Sequence, residues 1–222
     1  DTIPMFTNVE YNHDVYKYCA GYNYDDNTIV GFSHTHFSGT GHSDLGDFLI
    51  MPTVGKLQLN PGTKDAPQNG FRSLFSHQTE IAKPGYYKVK LEDDGIIAEL
   101  TATARVGFHQ YTFPKSDSAH IILDLLHGLY NYEDKNVWTF LRVENDTLVT
   151  GYRQTSGWAR TRTVYFAITF SKPFIAYGNK NFKRPQYNGF WRRFDLEHNF
   201  PDIAGEQIRA YFDFKTDEGE KI

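Results

Sequence analysis

The residues between Gly31 and Asp47 read Gly-Phe-Ser-His-Thr-His-Phe-Ser-Gly-Thr-Gly-His-Ser-Asp-Leu-Gly-Asp, and they concentrate the chemistry of the chain. These seventeen positions hold three histidines, two aspartates, three serines and four glycines. His34 and His36 stand two apart, so in an extended segment their imidazoles share one face. Gly39, Gly41 and Gly46 let the backbone turn sharply and come close to a ligand. Three kinds of chemistry suit the set. His34 and His36 with a carboxylate from Asp44 or Asp47 could hold a transition metal and serve a metal-dependent enzyme. The same imidazoles and carboxylates, with the Ser38 hydroxyl and the Gly39 backbone, could hydrogen-bond a polyhydroxylated ligand. Alternatively, the segment is a glycine-rich loop whose polar groups satisfy one another.

Other candidates carry less. A His-x-His pair also marks cupin sandwiches, but that pattern wants a Glu a few residues later, and 37–42 contains none. Glu80 and Arg72 read as an ion pair beneath the loop. Tyr22, Tyr24 and Trp158 read as aromatic core, with sugar-stacking platforms as the alternative. Asp25 and Asp26 before Asn27 offer hard oxygen ligands for calcium, yet paired Asp in this setting makes an ordinary turn. Cys19 reads as a small buried apolar group. His109, His120 and His127 lie in strand-like runs, where each is expected to be a satisfied structural histidine.

The elements that must position these groups are strands. Period-two alternation recurs at 86–91, 98–106, 163–170 and 208–214, and no helical periodicity lasts ten residues. Turn signals separate the runs: Asn60-Pro61-Gly62, Lys83-Pro84-Gly85, Asp93-Asp94-Gly95, Asn145-Asp146 and Tyr177-Gly178-Asn179. The Asp94-Gly95 step between Leu91 and Ile96 is the clearest hairpin, since Gly accepts a positive φ. Residues 177–206, rich in Asn, Phe, Arg and Pro, read as a long surface excursion. The expectation is an all-β, antiparallel β-sandwich forming one domain over 1–222.

Composition removes several classes. The chain has 222 residues, 40% apolar and 23% charged, which excludes general disorder. No apolar run nears the roughly 18 residues of a spanning helix, so no membrane span is expected. A formal net charge of −4 argues against nucleic acid as a partner. The basic clusters at Arg160/Arg162 and Lys180/Lys183/Arg184/Arg192/Arg193 read as solvated faces or carboxylate partners. One cysteine excludes an internal disulfide framework and a cysteine-built zinc site. Aromatic residues reach 16%, with 15 Tyr, more than core packing alone accounts for, because each buried hydroxyl needs a partner. The chain opens at Asp1 without a charged-then-apolar leader, so a signal peptide is absent or removed. Both ends read as cut, as though neighbouring domains were missing.

The block Gly31-Phe-Ser-His34-Thr-His36-Phe-Ser38-Gly39-Thr-Gly41, with Asp44-Leu-Gly46-Asp47, resembles the N-terminal domain of glycoside hydrolase family 92. The resemblance continues through Phe75-Ser-His77, Pro84-Gly-Tyr-Tyr87, Ala98-Glu-Leu-Thr-Ala-Thr103, His109-Gln-Tyr-Thr-Phe-Pro114, Gly157-Trp158 and Ser171-Lys-Pro-Phe174, in order along nearly the whole chain. It implies a bacterial exo-acting α-mannosidase, often described as α-1,2-specific, with a galactose mutarotase-like supersandwich joined to a C-terminal (α/α)6 barrel. Such enzymes invert the anomeric centre and use a calcium ion. Their acid, base and most of the calcium shell come from the barrel, so no catalytic residue and no tightly held metal are expected in this chain. The isolated chain is then inactive. The role implied for it is to wall a site for an α-mannoside glycan, of N-glycans or mannans, through His34, His36, Ser38, Gly39, Asp44 and Asp47, or to meet the barrel with the same loop. A non-catalytic carbohydrate-binding module is the alternative. The resemblance also implies a secreted, periplasmic or cell-surface location.

Overall fold

An alternating strand has one apolar face to hide, so strands of this kind pair into sheets and the sheets close on one another. A computed structural model describes residues 1–4, 13–37, 44–183 and 195–222. The described residues form fifteen strands: β1 (Thr28–Ile29), β2 (Leu49–Val54), β3 (Ser73–Leu74), β4 (Ile81–Lys83), β5 (Tyr86–Leu91), β6 (Ile96–Ala102), β7 (Gly107–Phe113), β8 (Ser116–Asp124), β9 (Asn136–Val143), β10 (Leu148–Thr155), β11 (Arg162–Thr169), β12 (Ala176–Asn181), β13 (Asp202–Gly205), β14 (Ile208–Thr216) and β15 (Glu220–Lys221). Every pairing among them is antiparallel. The only helix described is 3-10, at His13–Tyr18 and Pro67–Asn69.

The strands make an all-β sandwich. One four-stranded sheet, in the order β12-β14-β8-β2, lies inside the molecule: 119–124 of β8 and 49–53 of β2 are buried on both faces. That is why Ala-His-Ile-Ile-Leu-Asp and Leu-Ile-Met-Pro-Thr read as unbroken runs rather than alternating ones. The five-stranded sheet β15-β7-β6-β5-β4 turns Val89, Leu91, Ile96, Ala98, Tyr111 and Phe113 into the core. The remaining four-stranded sheet, β11-β10-β9-β13, contributes Leu141 and Val149, with Val164, Phe166 and Ile168 partly buried beside them. All belong to one apolar cluster.

Local expectations meet local structure with three adjustments. The hairpin pairs Leu91 with Ile96, so its loop has four residues, with Gly95 at φ +66° supplying the left-handed step. The alternation at 98–106 stops pairing at Ala102, and the chain reverses through a turn in which Val106 accepts from the Thr103 N–H at 2.8 Å. The excursion at 177–206 is framed by strands: β12 pairs with β14, and β13 with β9. Residues 184–194, with Arg184, Arg192 and Arg193, lie outside the described residues.

Candidate functional site

Strand ends converge at one rim of the sandwich. β2 begins opposite the end of β8, with Leu49 paired to Asp124. β9 begins and β10 ends there, with Asn136 paired to Thr155, and Thr155 in turn to Arg162 at the start of β11. The segment carrying His34, His36, Asp44 and Asp47 crosses this rim just before β2. Ser38 and Gly39 lie outside the described residues.

The backbone around Asp47 is bent against its preferences. Leu45, Gly46 and Phe48 take φ of 75°, 80° and 53°, and left-handed geometry costs an ordinary residue about 1–2 kcal/mol. Neighbours hold it. The Gly46 N–H donates to the Thr35 carbonyl at 2.7 Å, the His34 N–H to the Asp47 carbonyl at 2.9 Å, and the Leu129 N–H to the Leu45 carbonyl at 3.1 Å.

The two carboxylates are anchored by cations. Asp47 is 1% exposed; its Oδ1 meets Arg153 Nη1 at 3.2 Å and its Oδ2 meets Arg162 Nη2 at 2.7 Å. The Thr35 hydroxyl donates to Oδ2 at 2.5 Å. Burial pushes the Asp47 carboxyl up, but Arg153, Thr35 and Arg162 outweigh it and hold it below the usual range. Asp44 meets Lys135 Nζ at 3.0 Å and accepts the Trp158 N–H at 3.2 Å. Burial raises this carboxyl too, and Lys135 more than reverses it. Gly157 sits so close that a Cβ there would fall 2.5 Å from Asp44 Oδ2, so any side chain at 157 would push the carboxylate from its place beside Lys135. Of the partners, the sequence offered only Arg162, as a solvated or carboxylate-pairing residue, and it does pair with Asp47; Lys135 and Arg153 gave no sign. Lys135, Arg153 and Arg162 come from β9, β10 and β11 and the approach to them, more than a hundred residues away for the two arginines.

The histidines face outward differently. His34 Nδ1 lies 2.7 Å from the Phe48 carbonyl, which can only accept, so Nδ1 carries the proton and Nε2 offers a lone pair. Its ring stacks on His109 at 4.8 Å and 4°. His109 was expected to be merely structural; its Nδ1 is indeed satisfied, 2.6 Å from the Tyr111 hydroxyl, but the ring is also the partner of His34. The protein surroundings depress both imidazoles, His109 to about 3, so both stay neutral. His36 Nε2 lies 2.7 Å from Ser33 Oγ and 3.2 Å from Asp1 Oδ1, which directs its Nδ1 edge away from that pair. His127 lies in the turn after β8, not in a strand, fully buried, with Nε2 2.9 Å from Asp1 Oδ2. The aromatic-core reading fails for two residues. Trp158 is 73% exposed at the rim, and Tyr24, 66% exposed, stacks on His77 at 4.1 Å. Phe37, Val106, Phe108 and Tyr132 are also exposed near these groups.

The expected pair of Glu80 with Arg72 does not form. Glu80 accepts from the Tyr87 hydroxyl at 2.6 Å and from the Tyr22 hydroxyl at 3.1 Å, with His77 Nδ1 at 2.5 Å. Arg72 is buried elsewhere, its Nη2 donating to the Ile3 carbonyl at 2.6 Å. Asp26 is buried as well, accepting from the Tyr18 hydroxyl at 2.7 Å and paired with Lys64. Cys19 is buried and free.

Among the described residues no three His, Cys, Asp or Glu side chains are grouped to hold a metal ion, and Asp44 and Asp47 are already neutralised by buried cations. What the rim offers is a hydrogen-bonding wall: neutral imidazoles with open edges, set on a strained loop that ion pairs hold in place.

Comparison with known proteins supplies the context. Residues 4–222 match the model of the glycosyl hydrolase family 92 N-terminal domain. The family GH92 α-mannosidase BT3965 from Bacteroides thetaiotaomicron is 40% identical, with a TM-score of 0.82 over 93% of this chain and 27% of that one. It has also been solved in complex with mannoimidazole. The family GH92 inverting mannosidase BT2199 from Bacteroides thetaiotaomicron VPI-5482 is 27% identical, with a TM-score of 0.64 over 90% of this chain and 24% of that one. An uncharacterized secreted glycosidase of Arthroderma benhamiae is 27% identical over 132 residues, 58% of this chain and 17% of the relative. The chain thus spans about a quarter or less of these relatives. It belongs to glycosyl hydrolase family 92, whose N-terminal domain it matches from residue 4 to its last residue.

Proposed function

We propose that this chain walls one side of the sugar site of a calcium-dependent, inverting exo-α-mannosidase acting on α-linked mannosides of N-glycans or mannans. The observation that carries the reading is the rim itself. His34 and His36 present open, neutral imidazole edges beside exposed aromatic side chains, on a loop held by the Asp44–Lys135 and Asp47–Arg153–Arg162 pairs. Neutral imidazoles can accept from sugar hydroxyls, and Trp158 offers a face for the pyranose ring or for a docking partner. Ser38 and Gly39 complete the wall in this reading. The likeness to BT3965, solved with mannoimidazole, supports a mannoside as the ligand.

Inversion takes an acid and a base about 6.5–9.5 Å apart with a water between the base and the sugar. Asp44 and Asp47 are committed to cations, which leaves neither as acid or base; in this reading both catalytic groups, and most of the calcium shell, come from an (α/α)6 domain of the rest of the polypeptide, docked on this rim. The isolated chain is therefore inactive. The relative described as secreted supports a secreted, periplasmic or cell-surface enzyme. The test is an assay of the full-length polypeptide on α-linked mannobioses with and without a calcium chelator, beside the 222-residue chain alone. Release of mannose by the full-length protein only, inhibited by chelation, and a drop in kcat/KM of about tenfold or more in His34→Ala and His36→Ala, is the expected result. Turnover by the isolated chain, or full activity in both variants, overturns it.

A further inference from the structure

The two outer sheets meet water differently. The solvent side of β5 and β6 carries Tyr86, Lys88, Lys90 and Glu99, with Lys88 3.9 Å from Glu99, as an exposed antiparallel face should. The sheet β11-β10-β9-β13 turns Leu141, Val149 and Arg153 inward, so the alternate positions point out. Those positions carry rings. Tyr152 stands directly opposite Phe140 on β9 and Tyr165 on β11. The ring centroids lie 5.8 Å apart at 26° and 5.6 Å apart at 52°, a continuous aromatic row across three strands. Phe140 and Tyr152 are half-buried. Tyr165, on the edge strand, is 74% exposed, and Trp138, two residues from Phe140 on the same face, is 42% exposed. Gln154 and Thr163 flank Trp138, with Gln154 Nε2 donating to Thr163 Oγ1 at 3.4 Å. Among the outward positions of β9, β10 and β11 one side chain is charged: Arg142, at the end away from the rim, with Glu144 at 3.6 Å and Asp202 at 3.8 Å.

We propose that this sheet face binds a neutral, extended oligosaccharide laid along the aromatic row. A pyranose ring has an apolar C–H side, which the electron-rich face of an aromatic ring attracts, and a rim of hydroxyls, which Gln154, Thr163 and the Tyr165 hydroxyl can meet. Charge favours an uncharged ligand, because Arg142 is already matched by two carboxylates and nothing else on the face draws an ion. The rings are set in advance: Tyr152 packs between Phe140 and Tyr165, so the row loses little side-chain freedom on binding. Area favours an oligosaccharide over a second copy of this chain. At about 4.8 Å between strands and about 3.3 Å per residue, the four ring residues cover only a few hundred Å² with their side chains, well short of the roughly 800 Å² that each partner of a stable protein pair buries. The row also begins close to the rim, with Trp138 two residues from the Asn136–Thr155 pairing. Mannose units as the sugar rest on the proposed function, whereas the surface itself uses none of the rim residues.

The test is titration calorimetry of the full-length polypeptide with β-linked mannohexaose, which an α-mannosidase leaves intact, and with the anionic hexagalacturonate. Saturable binding of the mannohexaose and none of the hexagalacturonate is expected, with a Kd about three- to tenfold weaker in Tyr165→Ala and in Trp138→Ala, the weight of one stacked ring. His36→Ala, at the rim, is expected to leave this Kd unchanged. No binding, equal binding of the hexagalacturonate, or an unaltered Kd in both ring variants overturns the proposal. So does a melting temperature lowered by Tyr165→Ala in the full-length polypeptide and not in the 222-residue chain, which assigns the face to the rest of the polypeptide. A protein that hydrolyses α-mannosides without binding the mannohexaose loses this surface alone, whereas one that binds it without that activity loses the rim reading alone.

Discussion

Lys135 Nζ lies 3.0 Å from Asp44 Oδ1, and both side chains are almost wholly removed from water. A buried pair of this kind gains little over a well-packed apolar one, yet breaking it strands a charge in low dielectric. Burial pulls the lysine down and Asp44 holds it up, so the pair stands or falls together.

Lys135→Met is therefore expected to cost about 3–5 kcal/mol of folding stability. Asp44→Asn alone is expected to destabilise as well, because it leaves the lysine unmatched. The double variant is expected to lose clearly less than the sum of the two. Urea unfolding of the four chains measures this coupling directly. Additive losses would mean that Asp44 and Lys135 do not act as a pair.

How much of this site the sequence could reveal depends on distance along the chain. The strand period at 86–91 was legible because Val89 and Leu91 alternate into the core, whereas alternation at 208–214 marked a strand without showing that its other face, Arg209 included, is buried too. The His34–Asp47 block stood out by composition. Arg153 did not: an arginine in a Tyr-Arg-Gln strand reads as solvent-facing, and only pairing across β9 and β10 shows it buried with Nε and Nη2 on Asn136 Oδ1 at 2.8 and 2.6 Å. Trp158 misled in the opposite direction. Large aromatics are usually buried, and nothing local says that this one sits past the end of a strand, where its backbone serves Asp44 and its ring faces out.

Acid should weaken the fold through His127. Burial holds its pKa at about 3, with the positive groups Arg153 and Arg72 also pulling it down and Asp124 opposing them. In the unfolded chain it titrates near 6.5. The unfolded state thus takes up a proton that the folded state refuses. Stability is fully present above about 6.5 and falls as pH drops toward 3, by up to about 1.4 kcal/mol per pH unit from this residue. Urea melts between pH 4 and 8 should show that decline, and His127→Gln should flatten it. An equal slope in the variant would place the acid sensitivity elsewhere.

Asp94 works with the opposite sign. Burial raises its carboxyl to about 6, against the bond from Val54, with Asp93 adding to the rise and His120 opposing it. Here the folded state holds a proton that the unfolded state releases near 3.8. The charge on Asp94 therefore subtracts stability as pH climbs from about 4 through 6. Asp94→Asn, which still suits the turn before Gly95, should raise the melting temperature at pH 7.5 and change little at pH 4. Thermal melts at the two values distinguish this from a general turn effect, which would be the same at both.

Trp158 separates folding from function. Its side chain is 73% exposed, and exposed substitutions usually stay within about 0.5 kcal/mol. Its N–H bond to Asp44 comes from the backbone and survives any side chain. Trp158→Ala should leave the urea midpoint of the 222-residue chain nearly unchanged. If the rim meets a sugar or the rest of the enzyme, the same substitution in the full-length polypeptide should lower kcat/KM on α-mannosides by about tenfold, the loss of an aromatic contact worth about 1–1.5 kcal/mol. A split between KM and stability tells the two apart. A raised KM with an unchanged melting temperature places the ring against the sugar, and a lowered melting temperature of the full-length protein alone places it at the domain interface. Unchanged values of both would leave the exposed ring without a part in either, and would remove Trp158 from the proposed wall.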